Sequence, residues 1–215
     1  MPVTGRHASI LLTVRQQVAR RLPPDERRAQ VLEAARAVFA RDGFAGASAA
    51  AVAREAGVTR SLVHHYFSSR RKLFLGVLEE LAERLPAAIR TDLEGLPLVD
   101  VVRTNATSLL DAGERDRDAW VALLAAAGAD PDVEQILDRA RNRAIDRMLV
   151  NQRAALGDVP ELRLVLRVYL GAAEAALGEW IVHDRATRAQ AEVMVRETLL
   201  AMVAQVLPRL AEPEA

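Results

Sequence analysis

The 215-residue sequence contains no cysteine, one lysine against 28 arginines, and only 4% aromatic residues. The absence of cysteine excludes disulfide bonds and thiolate metal sites, and it fits a reducing compartment. The longest strongly apolar run, Trp120 to Ala129, has ten residues, about half of what a membrane-spanning helix needs. The N-terminal segment lacks an apolar signal core followed by a cleavage site. We therefore expect a cytoplasmic protein with no membrane segment.

The motifs of common enzyme classes are also missing. The sequence has no glycine-rich phosphate loop, no nucleophile elbow and no set of histidines and carboxylates at metal-ligand spacing. Among the four histidines, only His64 and His65 are adjacent. Neighbouring side chains on a helix point about 100° apart, so this pair cannot easily share one ion. We therefore expect neither an enzyme nor a bound metal or cofactor.

Charge is distributed unevenly although the net charge is zero. Residues 1–72 hold 13 basic and 5 acidic residues, a balance of +8, which leaves 16 basic and 24 acidic residues, or −8, for the remainder. A basic N-terminal third on an acidic body favours a polyanion bound at one end only. Random scatter of charge is the alternative interpretation.

Apolar residues recur at helical spacing along most of the chain, and no segment shows convincing strand alternation. The pattern predicts an all-α fold of about nine helices. Pro86 should kink or break the fourth of them. The expected helices cover about 25–41, 49–56, 60–67, 70–90, 98–112, 119–129, 131–156, 161–183 and 186–207.

Residues 49–67 carry the most informative pattern, two short helices joined by a tight turn at Gly57. Glycine suits a turn that requires positive φ, and the hydroxyl groups of Ser48 and Thr59 can cap the two helices. The second helix has the size of a recognition helix in a DNA major groove. Its outward residues are Arg60, Ser61, His64 and His65.

Residues 28–78 resemble the DNA-binding domain of the TetR family of bacterial regulators. The matching positions are Val31 to Ala35, Phe39, Gly43-Phe44, Ser48, Val52-Ala53, Glu55 to Thr59, His65 to Phe67 and Lys72 to Phe74. The resemblance implies a dimeric repressor that binds a palindromic operator and is released by a small, largely apolar effector. It also implies a homodimer in which the last two helices, about 161–183 and 186–207, form a four-helix bundle with their copies. Tight packing within one chain is the alternative reason for the small residues in the first of these helices.

Three regions follow from this interpretation: a basic arm over 1–24, a helix-turn-helix domain over 25–72, and a helical domain for effector binding and dimerisation over 73–215. The arm is either disordered or an additional contact to DNA. A helical adaptor that binds only proteins is the alternative function, and it would not account for the uneven charge.

The candidate DNA contacts form two groups. Helix N-termini and polar side chains favour phosphate, whereas arginine is the commonest specific ligand of guanine. The expected phosphate contacts are Ser48, Thr59, His65, Tyr66 and Lys72. The expected base or groove contacts are Arg60, Ser61, Leu62 and His64. A phosphate contact alone remains open for Arg60, and a purely structural role remains open for Tyr66.

The family resemblance further implies an effector pocket between the middle helices. Small alanines beside large aromatic residues leave room for an apolar ligand. The candidate lining residues are Asn105, Trp120, Leu123, Leu124, Ala127, Tyr169, Ala173 and Trp180. Core packing or a solvated face is the alternative for the polar Asn105.

Overall fold

A computed structural model describes residues 22–115, 117, 120–121, 130–156 and 159–211, with the backbone alone for residues 44–45 and 152–156. The described residues form helices and no strands, which confirms the all-α prediction, and the number of helices is close to the expected nine. The predicted helix over 119–129 lies outside the described residues except at Trp120 and Val121, which are helical. The predicted arm over 1–24 lies outside them up to residue 21.

The N-terminal unit consists of the first four helices, of which three are α1 (Pro24–Gly46), α2 (Ala49–Glu55) and α3 (Arg60–Tyr66). The backbone of α1 leaves helical geometry at Gly43, where φ is 68°, which agrees with the predicted end of the first helix. Side-chain caps start the next helices where the sequence predicts them. The Ser48 hydroxyl accepts a hydrogen bond from Ala51 N, and the Thr59 hydroxyl accepts one from Leu62 N.

The predicted helix over 70–90 is divided into α4 (Arg70–Ala82) and α5 (Arg84–Ala87). The interruption lies at Glu83, and Pro86 falls in the first turn of α5, where its missing N–H leaves no hydrogen bond unmade. Ser69 caps α4 by accepting a hydrogen bond from Lys72 N at 3.1 Å. The interruption therefore precedes the proline, whereas the sequence predicts it at Pro86.

The body continues with α6 (Leu98–Arg115), α7 (Pro131–Leu156) and α8 (Leu162–Ile181). It ends with α9 (Arg188–Ala201), a π-helical turn (Met202–Val206) and α10 (Leu207–Ala211). Thr187 and Gln190 form a capping box at the start of α9. None of the described helices combines the length and hydropathy that crossing a bilayer requires.

Two hydrophobic clusters hold these helices together. The first contains the buried faces of α1 to α4 and also the first part of α7, through Val133, Ile136, Leu137 and Ala140. The second is built from α5 to α10. Helix α7 also contributes Ala144, Ile145 and Met148 to the second cluster. It therefore packs against both the N-terminal unit and the body.

Candidate nucleic-acid interface and ligand cavity

The turn between α2 and α3 has the geometry that the sequence predicts. Gly57 has φ of 64°, in the left-handed region that glycine adopts at least cost. Val58 N donates to Ala53 O at 2.9 Å and closes the turn. From α1, Gln30 Nε2 donates to Ala56 O at 2.8 Å, so the first helix also holds the turn. The angle between α2 and α3 is therefore fixed by the backbone and by α1.

Helix α3 has one buried face and one exposed face. Val63 is 1% exposed and belongs to the N-terminal cluster, as does Phe67, which follows the helix. The guanidinium of Arg28 lies 5.2 Å from the centre of the Phe67 ring. The exposed side chains of α3 are those predicted from the sequence: Arg60, Ser61, His64 and His65.

Two polar contacts organise the exposed face. Arg60 Nε donates to His64 Nε2 at 3.4 Å, one helical turn away, and Thr59 Oγ1 lies 3.0 Å from Ser61 Oγ. The first contact places the Arg60 guanidinium beside the His64 ring. The remaining N–H groups of the guanidinium can bind a base or a phosphate.

The predicted phosphate ligands lie at three helix starts and at the end of α3. Ser48 and Thr59 are exposed, and each hydroxyl that accepts a capping hydrogen bond can still donate one to a phosphate oxygen. Lys72 is exposed in the first turn of α4. Tyr66 is half-buried against the N-terminal cluster, and its ring centre lies 5.3 Å from that of His65.

A groove beside α3 brings in a residue that sequence reasoning missed. Arg27 of α1 borders the same groove as Thr59, Leu62, His65 and Tyr66. Its Nη1 donates to Gln30 Oε1 at 2.8 Å, which restrains the guanidinium beside this groove. Sequence patterns indicated this position only weakly, because Arg27 lies on a different helix, more than 30 positions from the groove residues of α3.

The body contains a nearly closed cavity between α5, α6, α7, α8 and α9, with a free volume of about 30 Å³. Two of the predicted pocket residues, Asn105 and Tyr169, line it. Trp120, Ala173 and Trp180 are buried in the surrounding cluster and are not among the described lining residues. The predicted residues Leu123, Leu124 and Ala127 lie outside the described residues. The cavity wall comprises Leu85, Ile89, Val101, Val102, Asn105, Leu109, Met148, Asn151, Tyr169, Leu170 and Leu199.

Polar side chains of the body hold the backbone that follows α5. Arg90 N donates to Asn105 Oδ1 at 2.8 Å, and Asn151 Nδ2 donates to Arg90 O. Arg147 donates to Ile89 O through Nε at 3.1 Å and Nη2 at 2.7 Å. Asn151, which the sequence reasoning missed, is 3% exposed, and its Oδ1 has no hydrogen-bond partner among the described atoms.

The outer surfaces of α8 and α9 carry unusually many exposed apolar side chains. Leu164, Val168 and Met194 are 57%, 56% and 58% exposed, and Val193 is 49% exposed. On α8 the same surface continues through the exposed small residues Gly171, Ala172 and Ala175. A Cβ atom placed on Gly171 would have no heavy atom within 4 Å. We refer to Leu164, Val168, Gly171, Ala172, Ala175, Val193 and Met194 together as the α8–α9 face.

Comparisons with known proteins cover both parts of the chain. Residues 31–77 match the profile of bacterial regulatory proteins of the tetR family, and residues 98–203 match that of tetracyclin repressor-like C-terminal domains. Together the two profiles span most of the described chain.

Several characterised regulators are similar in sequence. The chain is 28% identical over 110 residues to the HTH-type transcriptional regulator UidR of Escherichia coli, covering 51% of this chain and 56% of UidR. The chain therefore spans about half the length of that relative. It is 26% identical over 165 residues to the HTH-type transcriptional regulator BetI of Vibrio campbellii, covering 74% and 80% of the two chains. It is 40% identical over 73 residues to the HTH-type transcriptional activator FasR of Mycolicibacterium smegmatis, covering 34% and 33%.

Solved structures share the fold. A tetR-family transcriptional regulator from Streptomyces coelicolor superposes with a TM-score of 0.72 at 24% identity, covering 88% of this chain and 85% of the other. The TetR-family repressor FadR of Thermus thermophilus, in complex with lauroyl-CoA, gives a TM-score of 0.61 at 18% identity, covering 87% and 97%. At this level of identity, the likeness concerns the fold alone.

Proposed function

The chain belongs to the TetR family of bacterial regulatory proteins, and from this premise we propose that it is a ligand-responsive transcriptional regulator. The proposed form is a dimeric repressor that binds a palindromic operator in the bacterial cytoplasm and is released by a small, largely apolar effector. One observation carries the DNA-binding part: α3 is anchored by Val63 and exposes a polar surface on its opposite side. The family consists of transcriptional regulators, so an enzymatic role is not proposed.

In the proposed complex, α3 lies in the major groove and reads bases with Arg60 and His64. The 3.4 Å contact between these side chains restrains the guanidinium over the centre of the helix, where it can bind O6 and N7 of a guanine. Ser61 and Leu62 add groove contacts on the same side. Only a few side chains of α3 would therefore contact bases, as is typical of recognition helices.

The phosphate contacts surround this group. Ser48, Thr59 and Lys72 lie at the starts of three helices, where backbone N–H groups and the helix dipole favour an anion. His65, Tyr66 and the additional Arg27 border one groove beside α3. Contacts on both sides of α3 would fix its register on the duplex.

For dimerisation we propose the α8–α9 face. Its exposed apolar residues would be shielded from water by a second copy of the chain, and the small residues of α8 would permit close approach. The open space beside Gly171 favours this interpretation over tight packing within one chain. A two-fold dimer would place the two α3 helices on half-sites about 34–36 Å apart.

Effector control is proposed to act through the cavity of the body. Leu85 and Ile89, which flank the end of α5, form part of its wall, and α5 follows directly on α4 of the N-terminal unit. A ligand that binds better to an expanded cavity favours a different position of α5 and α4. The spacing of the two recognition helices would then no longer match the operator, and by linkage the operator would weaken ligand binding by the same factor.

Selection of DNA from a random duplex pool, followed by fluorescence anisotropy at two salt concentrations, tests the proposal. We expect recovery of an inverted repeat and an affinity for it that exceeds binding to scrambled duplex. Sedimentation of the complex should give two chains for each inverted repeat. Equal affinity for all duplexes, or no binding even at low salt, would instead favour the adaptor that binds only proteins.

A further inference from the structure

We propose that the body cavity accepts a neutral, largely apolar ligand with one hydroxyl group, and that Asn151 Oδ1 accepts the hydrogen bond from that hydroxyl. This inference rests on the proposed effector role of the cavity and specifies the chemical class of the effector. It follows from the charge of the wall, the hydrogen bonds of Asn151 and the position of the cavity beside Arg90.

No charged side chain occurs among the described residues of the cavity wall. Eight of them are aliphatic or methionine side chains, and the three polar residues, Asn105, Asn151 and Tyr169, are uncharged as side chains at neutral pH. A carboxylate, phosphate or ammonium group would lose its hydration here without a counter-ion, which is strongly unfavourable. The wall therefore selects a neutral ligand.

The hydrogen bond to Arg90 determines which atom of Asn151 is available. Because Nδ2 donates to the Arg90 carbonyl, the amide orientation is fixed and Oδ1 points away from that contact. Oδ1 is buried without a partner among the described atoms. A buried carbonyl oxygen without a hydrogen bond is destabilising, and it can only accept one. The missing partner is therefore a donor.

Tyr169 favours a hydroxyl group as this donor. Tyr169 borders the same cavity, and its hydroxyl group can donate a hydrogen bond. A ligand hydroxyl both donates and accepts, so it can donate to Asn151 Oδ1 and accept from the hydroxyl group of Tyr169. A ketone or an ester, which only accepts, leaves Asn151 Oδ1 unpaired.

The size of the cavity connects ligand binding to a change of shape. A free volume of about 30 Å³ is far below the roughly 300–1,000 Å³ that pockets for drug-sized ligands have. A larger ligand must displace wall residues such as Ile89 and the flexible Met148. Ile89 and Arg90 are held by Arg147, Asn151 and Asn105, so a ligand on Asn151 acts at the segment that continues from α5.

A single buried water on Asn151 Oδ1 is the competing explanation of the unpaired acceptor. It predicts that Asn151 contributes to stability without distinguishing one ligand from another. The two explanations therefore differ in ligand selectivity, which can be measured on the unmodified protein.

The experiment compares ligands of equal chain length that differ in one group. Straight-chain primary alcohols from butanol to decanol, the corresponding methyl ketones and carboxylates, and lauroyl-CoA are titrated into the full-length protein. Binding is measured by calorimetry and by the midpoint of thermal unfolding. We expect the best alcohol to bind at least about tenfold more tightly than its ketone or carboxylate, because the site leaves a buried acceptor unpaired with either.

Substitution of Asn151 then tests the assigned atom. Asn151→Leu should reduce the affinity for the best alcohol by at least about tenfold and abolish the preference over the ketone. Asn142→Leu is the matched control, since Asn142 lies on the same helix and is not among the described wall residues. It should leave both affinities unchanged.

Two results would overturn the proposal: equal or tighter binding of ketones, carboxylates or lauroyl-CoA, or no binding of any alcohol. Both are read from the unmodified protein, so they hold even where Asn151→Leu does not fold. Operator binding is measured in the same samples, so that failure of the hydroxyl-ligand proposal can be distinguished from failure of the proposed regulator. A carboxylate that releases the operator would leave the regulator intact and refute the hydroxyl ligand, whereas absence of any operator would refute the regulator.

Discussion

Arg71 and Asp130 form a two-pronged ion pair across 59 positions of the chain, with Nη1 2.8 Å from Oδ2 and Nη2 2.9 Å from Oδ1. Arg71 Nη2 also donates to Asp132 Oδ2 at 2.6 Å. Arg71 lies in the first turn of α4, and Asp130 immediately precedes α7. The pair therefore joins the N-terminal unit to the body at the surface, beside the hydrophobic contact between α4 and α7.

The first prediction concerns acid stability. The Arg71 guanidinium lowers the pKa of the Asp130 carboxyl below its ordinary value, so the pair stabilises the fold above that ordinary value, about 3.9. The contribution is lost as the pH falls from there through the lowered pKa. Asp130→Asn should therefore reduce the melting temperature at pH 7, and this difference from the unmodified protein should shrink at acidic pH. A difference that is constant across the pH range would contradict the assignment.

A second prediction concerns base reading by α3. Arg60→Ala should cost on the order of 1–3 kcal/mol on the preferred operator and relax discrimination at one base position. Anisotropy titrations against single-base variants of the operator measure both effects. Arg185→Ala is the control, because Arg185 is an exposed arginine of the body, between α8 and α9. Equal weakening on all sequences would instead identify Arg60 as a phosphate contact.

The third prediction concerns the phosphate contact of Lys72. Lys72→Ala should weaken binding to specific and scrambled duplex by similar factors. The slope of the logarithm of affinity against the logarithm of salt concentration should fall by about one unit, since one counterion-releasing contact is removed. Titrations over a series of salt concentrations give this slope. If it is unchanged, Lys72 does not contact the backbone.

The fourth prediction concerns the dimer and offers a closely matched control. Val168 on the α8–α9 face and Val150 on α7 are 56% and 57% exposed. Val168→Glu would place a charge in the proposed interface and should shift sedimentation towards the monomer, with loss of affinity for the inverted repeat. Val150→Glu should leave both unchanged. A dimer of undiminished stability in Val168→Glu would exclude this face as the interface.

Local features of the fold could be predicted well from the sequence. The caps at Ser48 and Thr59, the turn at Gly57 and the bounds of α7 depend on residues within one or two helical turns of each other. Periodicity and capping patterns contain this local information directly. The exposed face of α3 followed for the same reason, because its buried side was visible at Val63.

Long-range contacts were much harder to predict from the sequence. The cavity wall combines residues from five helices, and the buried Asn151 donates to the backbone carbonyl of Arg90, 61 positions earlier. On a helix pattern alone, a polar residue near a helix end is expected to face water. Arg71 was similarly indistinguishable from its basic neighbours, since its partner Asp130 follows a different part of the sequence.

Helix α7 is a continuous helix whose two ends pack into different hydrophobic clusters. Near its start Ile136 is buried in the N-terminal cluster, on the side of α1 and α4, and near its end Asn151 lines the cavity. The 15 positions between them correspond to about 22 Å of helix. A tilt of about 5° would thus displace one end by about 2 Å relative to the other, with all internal hydrogen bonds of the helix retained. In the proposed regulator, such a tilt would convert a small expansion around Asn151 into a changed position of the N-terminal unit relative to the duplex.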